Sequence, residues 1–310
     1  MKIHFAPLQG FTDCVYRVAH HEVCGGVDCY YTPFLRWEKE GVRNKDLRDI
    51  RLQNIGSAPT VPQLICNGRE ELARLADVIE HEGHSRIDIN MGCPFPMQSK
   101  RGRGAGLLAH PERVEEMARE MECRGNVRFS VKMRLGLNDG DEWRSILPIL
   151  NGLRLEHIAI HPRVGSQMYK GSVDLERMAQ LLEASKNAVV YNGDILTLNQ
   201  IDELERLYPT LSGVMIGRGL LASPWLAFEY KNRELTLTDQ ERLARLWELH
   251  DKVYRHAVDN LQGESQILSR LRTFWEYASP LLDKKLTKRF SKSGTLRSYR
   301  EAVAAAKNWH

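Results

Sequence analysis

Seven consecutive residues, Asp88-Ile89-Asn90-Met91-Gly92-Cys93-Pro94, set one thiol just past a short alternating run that begins at Arg86. The alternation predicts a buried strand over 86–90; Gly92 permits a tight turn, and Pro94 fixes the backbone beyond the cysteine. A thiol with a pKa near 8.5 is still largely protonated at neutral pH, so a cysteine held there can donate a proton. The basic, glycine-rich segment Lys100-Arg101-Gly102-Arg103-Gly104 comes next and suits an anionic partner. A buried loop cysteine is the plain alternative, and these neighbours weigh against it.

Further along, Lys132 lies among Phe129, Val131 and Met133. An ammonium there is costly unless it meets an electron-rich partner. The pyrimidine edge of a flavin, where negative charge gathers on reduction, is such a partner, and Gln63 can hydrogen-bond the same ring. His161, in Ile160-His161-Pro162-Arg163, is placed to face a cofactor or a substrate. Asn192-Gly193-Asp194 and Gly217-Arg218-Gly219 offer open backbone N–H groups beside a guanidinium, the makings of a phosphate grip.

Positioning these groups requires a scaffold that brings them to one place. Short apolar runs predict strands over 3–6, 28–32, 61–66, 86–90, 128–133, 157–160, 188–191 and 213–216. Helical patterns lie between several of them, over 13–23, 69–82, 111–123, 174–184 and 198–207. Eight strands alternating with helices predict an α/β fold, a closed (β/α)8 TIM barrel, whose active groups gather at the carboxyl ends of the strands. Only the link between the second and third strands, through 36–51, reads as irregular. From Thr238 onward the pattern is helical and free of strands, punctuated by Gly263, Pro280 and Gly294. Two domains are expected: a barrel over 1–237 and a small helical domain over 238–310.

The 310 residues carry 42% apolar and 27% charged side chains, which excludes a disordered chain. No apolar run approaches the roughly eighteen residues of a membrane span, and the N-terminus does not read as a signal peptide, so a cytoplasmic protein is expected; a monomer is expected as well. The six cysteines form neither a CxxC pair nor zinc-ligand spacing, and no metal is expected. Net charge is +4, yet residues 244–310 hold thirteen Lys/Arg against seven Asp/Glu, leaving the remainder slightly negative. A polyanion is therefore expected at the C-terminal quarter, with a merely solvated helix face as the alternative.

Taken together, residues 3–226 resemble the tRNA-dihydrouridine synthases, FMN-dependent enzymes of bacterial type. The resemblance is carried by Ala6-Pro7 with Thr12-Asp13, the cysteine motif at 88–94, Ser130-Val131-Lys132-Met133-Arg134-Leu135-Gly136, Asn192-Gly193-Asp194-Ile195 and the run from Gly213 to Gly219. It implies FMN held by Pro7, Leu8, Gln9, Gln63, Lys132, His161, Asn192, Gly193, Asp194, Gly217 and Arg218, with NADPH as a transient reductant. Cys93 is then the acid that protonates uracil C5 while hydride passes from the flavin N5 to C6, the target uridine being flipped out of a folded tRNA. Asn90, Arg134 and Arg163 would hold the uracil and a flanking phosphate. Lys100, Arg101 and Arg103, together with Lys284, Lys285, Lys288 and Arg289, would meet the RNA.

Three departures from the family pattern stand out. Arg103 takes a place where a small residue is usual, Phe95-Pro96-Met97 replaces a more polar segment, and Pro162 and Val164 flank Arg163 where Gly and Thr are usual. Two other readings stay open: an FMN barrel reducing a free pyrimidine or enone, and a non-catalytic tRNA-binding relative. The basic C-terminal quarter weighs against the first, and the presence of Cys93, Lys132 and Gly217-Arg218 against the second.

Overall fold

The structure, a computed structural model, describes residues 1–277 and 281–307, so Pro280 lies outside the described residues. Nine strands form one sheet: β1 (Lys2–Phe5), β2 (Cys29–Tyr31), β3 (Thr60–Val61), β4 (Gln63–Leu64), β5 (Arg86–Met91), β6 (Arg128–Gly136), β7 (Ile158–Val164), β8 (Val189–Asn192) and β9 (Gly213–Ile216). Their hydrogen-bonded order is β3-β2-β1-β9-β8-β7-β6-β5-β4, and every pairing is parallel. β3 and β4 are two halves of one strand divided at Pro62, which has no N–H to give the ladder. Its carbonyl still accepts from the Asp88 N–H at 2.9 Å, β3 pairs with β2, and β4 pairs with β5. The expected eight strands thus close into a barrel.

Two strands outrun the sequence expectation. β6 continues through Arg134 to Gly136 and β7 through His161 to Val164, with a register shift between Arg134 and Gly136. That extension carries Arg134 and His161 into the strands toward the carboxyl rim. The irregular link after β2 holds two short helices, Asn44–Arg48 and Leu52–Ile55, and Leu35 within it bridges to Leu64. Flanking helices begin at side-chain caps: Asp13 accepts from Tyr16 N–H, Asp174 from Arg177 N–H, and Thr197 forms a capping box with Gln200.

Thr238 and Glu241 form another capping box, which starts the long helix Asp239–Asn260. Helices Glu264–Phe274, Lys284–Lys292 and Leu296–Lys307 come after it. Leu249 and Val253 of the long helix belong to the barrel's own apolar core, whereas Leu243, Leu246 and Ala257 join Trp275, Phe290 and Tyr299 in a second core. Polar ties reinforce the junction: Arg245 donates to the Val23 carbonyl at 2.9 Å, Lys252 pairs with Glu22 at 2.9 Å, and Arg270 pairs with Asp13 at 2.8 Å. Among the described residues, no helix is long and apolar enough to cross a membrane, and no cluster of His, Cys, Asp and Glu could hold a metal ion.

Candidate active site

A cavity of about 1050 Å³ opens at the carboxyl ends of the strands. Its wall gathers groups distant in sequence: Pro7, Leu8 and Gln9 after β1, Gln63 in β4, Asn90 and Cys93 at β5, and Lys132 and Arg134 in β6. His161 in β7, Asn192, Gly193 and Asp194 at β8, and Gly217 and Arg218 after β9 complete the ring. Arg163, Lys100, Arg101, Arg103 and the basic helix Lys284–Lys292 do not line it.

The cysteine is held from inside and outside. Asp88, fully buried, accepts from Ser130 Oγ at 2.5 Å and from Gln63 Nε2 at 2.7 Å. Gln63 Oε1 accepts from Asn90 Nδ2 at 2.8 Å, and Asn90 Oδ1 in turn accepts the N–H groups of Gly92 at 3.0 Å and Cys93 at 2.8 Å. A carboxylate can only accept, so the chain starts from a fixed polarity and ends on the loop that carries the thiol. From outside, the Ala105 N–H donates to the Cys93 carbonyl at 3.0 Å. Gly104, at φ +59°, packs so close that a Cβ would stand 2.6 Å from that carbonyl oxygen. Burial raises the Cys93 thiol above its ordinary pKa, against the opposing pull of the Phe95 backbone and the charges of Arg134 and Lys132. The group facing the cavity is therefore a thiol at neutral pH.

Lys132 makes no hydrogen bond or ion pair among the described residues, although burial pushes its pKa down to about 8. An ammonium left without a partner in a cavity wall needs an electron-rich ligand, which is what the pyrimidine edge of a flavin supplies. Neighbouring His161 is kept well below its ordinary pKa by burial and the surrounding cations, and its Nε2 lies 3.1 Å from Arg163 Nη1. Because guanidinium only donates, Nε2 is the acceptor and Nδ1 carries the proton. Arg218, at the far end, gives Nη2 to Asp194 at 2.8 Å and keeps its other N–H groups free of protein acceptors among the described residues. The donor set and the cavity volume fit a planar ring with a phosphate tail.

Several residues expected at the substrate are engaged within the protein. Arg103 is 5% exposed; its Nε donates to Glu71 at 2.9 Å, and its Nη2 donates to Glu71 and to the Trp37 carbonyl at 2.9 Å. It ties the segment after β5 to the segment after β2 and to the helix Arg69–His81. Arg163 is 1% exposed behind the wall, bonded to Asp194 and to the Gly171 carbonyl at 2.6 Å. Arg134 lines the cavity, yet it donates to the carbonyls of Gly92, Val164 and Met168 at 3.1, 2.9 and 2.6 Å. Asn90 spends its amide on Gln63 and the cysteine loop. Asp194 also lines the cavity, but hydrogen bonds from Arg163 and Arg218 hold it ionised below its usual pKa, so its carboxylate orients Arg218. Lys100 and Arg101 are exposed on the loop past Cys93.

Two aromatic residues escaped the sequence reading. The half-exposed ring of Tyr169 stands 5.5 Å from the Arg134 guanidinium and 5.1 Å from that of Arg218. Tyr277 reaches the cavity from the helical region and packs edge-on against Phe11 at 5.1 Å. Tyr169 sits five residues past β7, where a scan of the loops beyond the strand ends could have found it; Tyr277 has no signal in its local sequence. Away from the cavity, Lys285, Lys288, Arg289 and Lys292 line a shallow concavity of about 580 Å³, with Lys284 beside them on the same helix. None of these five cations has an acidic partner among the described residues.

Comparison with known proteins agrees with this geometry. A family model described as "Dihydrouridine synthase (Dus)" matches residues 4–308. The chain is 31% identical over 264 residues to a "Probable tRNA-dihydrouridine synthase" of Staphylococcus epidermidis, covering 80% of this chain and 78% of that one. It is 30% identical over 260 residues to "Probable tRNA-dihydrouridine synthase 2" of Bacillus subtilis, covering 80% and 77%. Among solved structures, morphinone reductase matches with a TM-score of 0.53 at 10% identity, over 78% of this chain and 88% of that one. The old yellow enzyme from Trypanosoma cruzi matches with a TM-score of 0.51 at 10% identity, over 79% and 92%. At such identities the two structures establish the barrel alone.

Proposed function

The chain belongs to the dihydrouridine synthase family, and from that premise we propose that it reduces specific uridines of tRNA to 5,6-dihydrouridine with FMN and NADPH. The observation that carries this reading is a half-buried, protonated thiol and an unpartnered ammonium lining one cavity. Pro7, Leu8, Gln9, Gln63, Lys132, His161, Asn192 and Gly193 would hold FMN, with Gly217 and Arg218 toward its phosphate. Bound there, FMN would supply the hydride to uracil C6 after reduction by NADPH.

The protein's own part is to seat the base and move one proton. Cys93 gives its proton to C5, and the thiolate left behind lies within the field of Lys132 and Arg134, which favours the charged form. The chain Asp88–Gln63–Asn90 keeps the thiol in place during that transfer. The Tyr169 ring, flanked by two guanidinium groups, offers a face to a planar base. In this reading residues 1–237 hold the cofactor, while Lys284, Lys285, Lys288 and Arg289 in 238–310 bind tRNA phosphates.

The test is reduction of unmodified tRNA by the FMN-loaded protein with NADPH, scored by mass spectrometry of the nucleosides. Dihydrouridine is expected from tRNA and not from free uracil. The Cys93→Ala variant should retain FMN and tRNA binding while losing about 100-fold or more of the rate. Turnover of free uracil with none of tRNA, or full activity in Cys93→Ala, would overturn the assignment.

A further inference from the structure

Eight large apolar or aromatic side chains stand out as exposed among the described residues, and four of them, Phe95, Met97, Tyr169 and Leu196, ring this one cavity. Phe95 is 50% exposed, Met97 72% and Leu196 52%. Phe95 and Met97 lie beyond β5, whereas Leu196 lies beyond β8, three strands round the barrel. These side chains are held out by their backbone. Phe95 lies between Pro94 and Pro96, Pro96 opens the helical turn Pro96–Ser99, and the Phe95 carbonyl accepts from the N–H groups of Gln98 at 2.8 Å and Ser99 at 3.0 Å. Such a segment cannot fold its apolar groups inward to hide them, so their exposure is built in.

The charges around this rim identify its occupant. Lys100 and Arg101 continue the same turn, and Lys45 stands on the cavity wall; all three are exposed, with no acidic partner among the described residues. Rigid apolar faces interleaved with unpaired cations match a single-stranded nucleic acid, whose bases stack while its phosphates meet the cations. Flipping a base also strips its two neighbours of a stacking partner. We infer that Phe95 and Met97, with Leu196 across the mouth, form a stacking rim for the nucleotides flanking the flipped uridine. The inference rests on the reading of this chain as a tRNA-uridine reductase.

A Phe95→Ser/Met97→Ser variant tests it, both side chains being exposed and Phe95 meeting the Cys93 thiol through its backbone alone, which the substitution keeps. The KM for unmodified tRNA should rise about 10- to 100-fold, with kcat at saturating tRNA within about twofold of wild type. The FMN dissociation constant and the KM for NADPH should stay unchanged. The slope of log KM against log salt should also hold, because no phosphate contact is removed, whereas Lys100→Ala/Arg101→Ala should flatten it. Phe95→Tyr should keep most of the wild-type affinity. An unchanged KM for tRNA overturns the inference, as does a loss confined to FMN or NADPH binding. A wild-type protein that makes no dihydrouridine sinks the parent reading with it, whereas an active wild type matched by the variant sinks the rim alone.

Discussion

The barrel mouth and the helix Lys284–Lys292 are both rich in cations, and they use them in opposite ways. At the mouth, Arg103, Arg134 and Arg163 are buried and bonded to Glu71, to backbone carbonyls and to Asp194. On the helix, Lys284, Lys285, Lys288, Arg289 and Lys292 are exposed and make no ion pair among the described residues, although Glu301 lines the same concavity. Buried guanidinium forks fix geometry, because each bonded N–H satisfies a group that would otherwise be stranded. Solvated ammonium groups fix nothing and remain free to displace counterions from a polyanion. Counting charges therefore locates a binding surface only where nothing in the fold has already claimed them.

Four measurements can break or sharpen this contrast. Arg163→Met removes a buried partner of Asp194 and Gly171 and should cost about 3 kcal/mol, read as a lower melting temperature. A smaller loss would mean that this arginine is not structural. A pH series should reveal the buried groups. Burial raises the Asp88 pKa to about 6, so the folded state holds its proton more tightly than the unfolded chain. The stability this lends is complete below the ordinary carboxylate value near 3.8 and disappears as pH rises through 6. Relative to Asp88→Asn, the wild type should thus weaken by roughly 2–3 kcal/mol between pH 4 and 7. Lys132 runs the other way: its lowered pKa imposes a cost below pH 8 that is relieved as pH climbs toward 10.5. Arg103→Lys keeps the charge but loses the two-pronged grip on Glu71, and should cost about 1–2 kcal/mol by denaturant titration. Converting Lys284, Lys285, Lys288 and Arg289 together to Ala should change stability by less than about 1 kcal/mol while weakening tRNA binding and flattening its salt dependence. A large stability loss there would erase the distinction between the two regions.

Much of the barrel was legible because its strands are short apolar runs and because the closed topology forces their carboxyl ends together. Once eight runs were recognised, Gln63, Cys93, Lys132, His161 and Arg218 had to converge. The division of the third strand at Pro62 was hidden, since a proline in an apolar run does not announce that its two halves pair with different neighbours. The burial of Arg103 and Arg163 was hidden for a similar reason. Their acidic partners, Glu71 on the helix Arg69–His81 and Asp194 beyond β8, sit on other elements, and nothing near either arginine in sequence indicates that it is sealed from water. The basic helix was easier, because Lys284, Lys285, Lys288 and Arg289 crowd within six residues around only two apolar anchors, Leu286 and Phe290.

The helix Asp239–Asn260 contributes side chains to both apolar cores, which makes the two parts of the chain one thermodynamic unit. Cutting after Leu237 would strip Leu249 and Val253 from the barrel and bare an oily strip along the helix Cys14–Val23. Calorimetry of the intact chain should accordingly trace a single cooperative peak, and neither fragment should prosper alone.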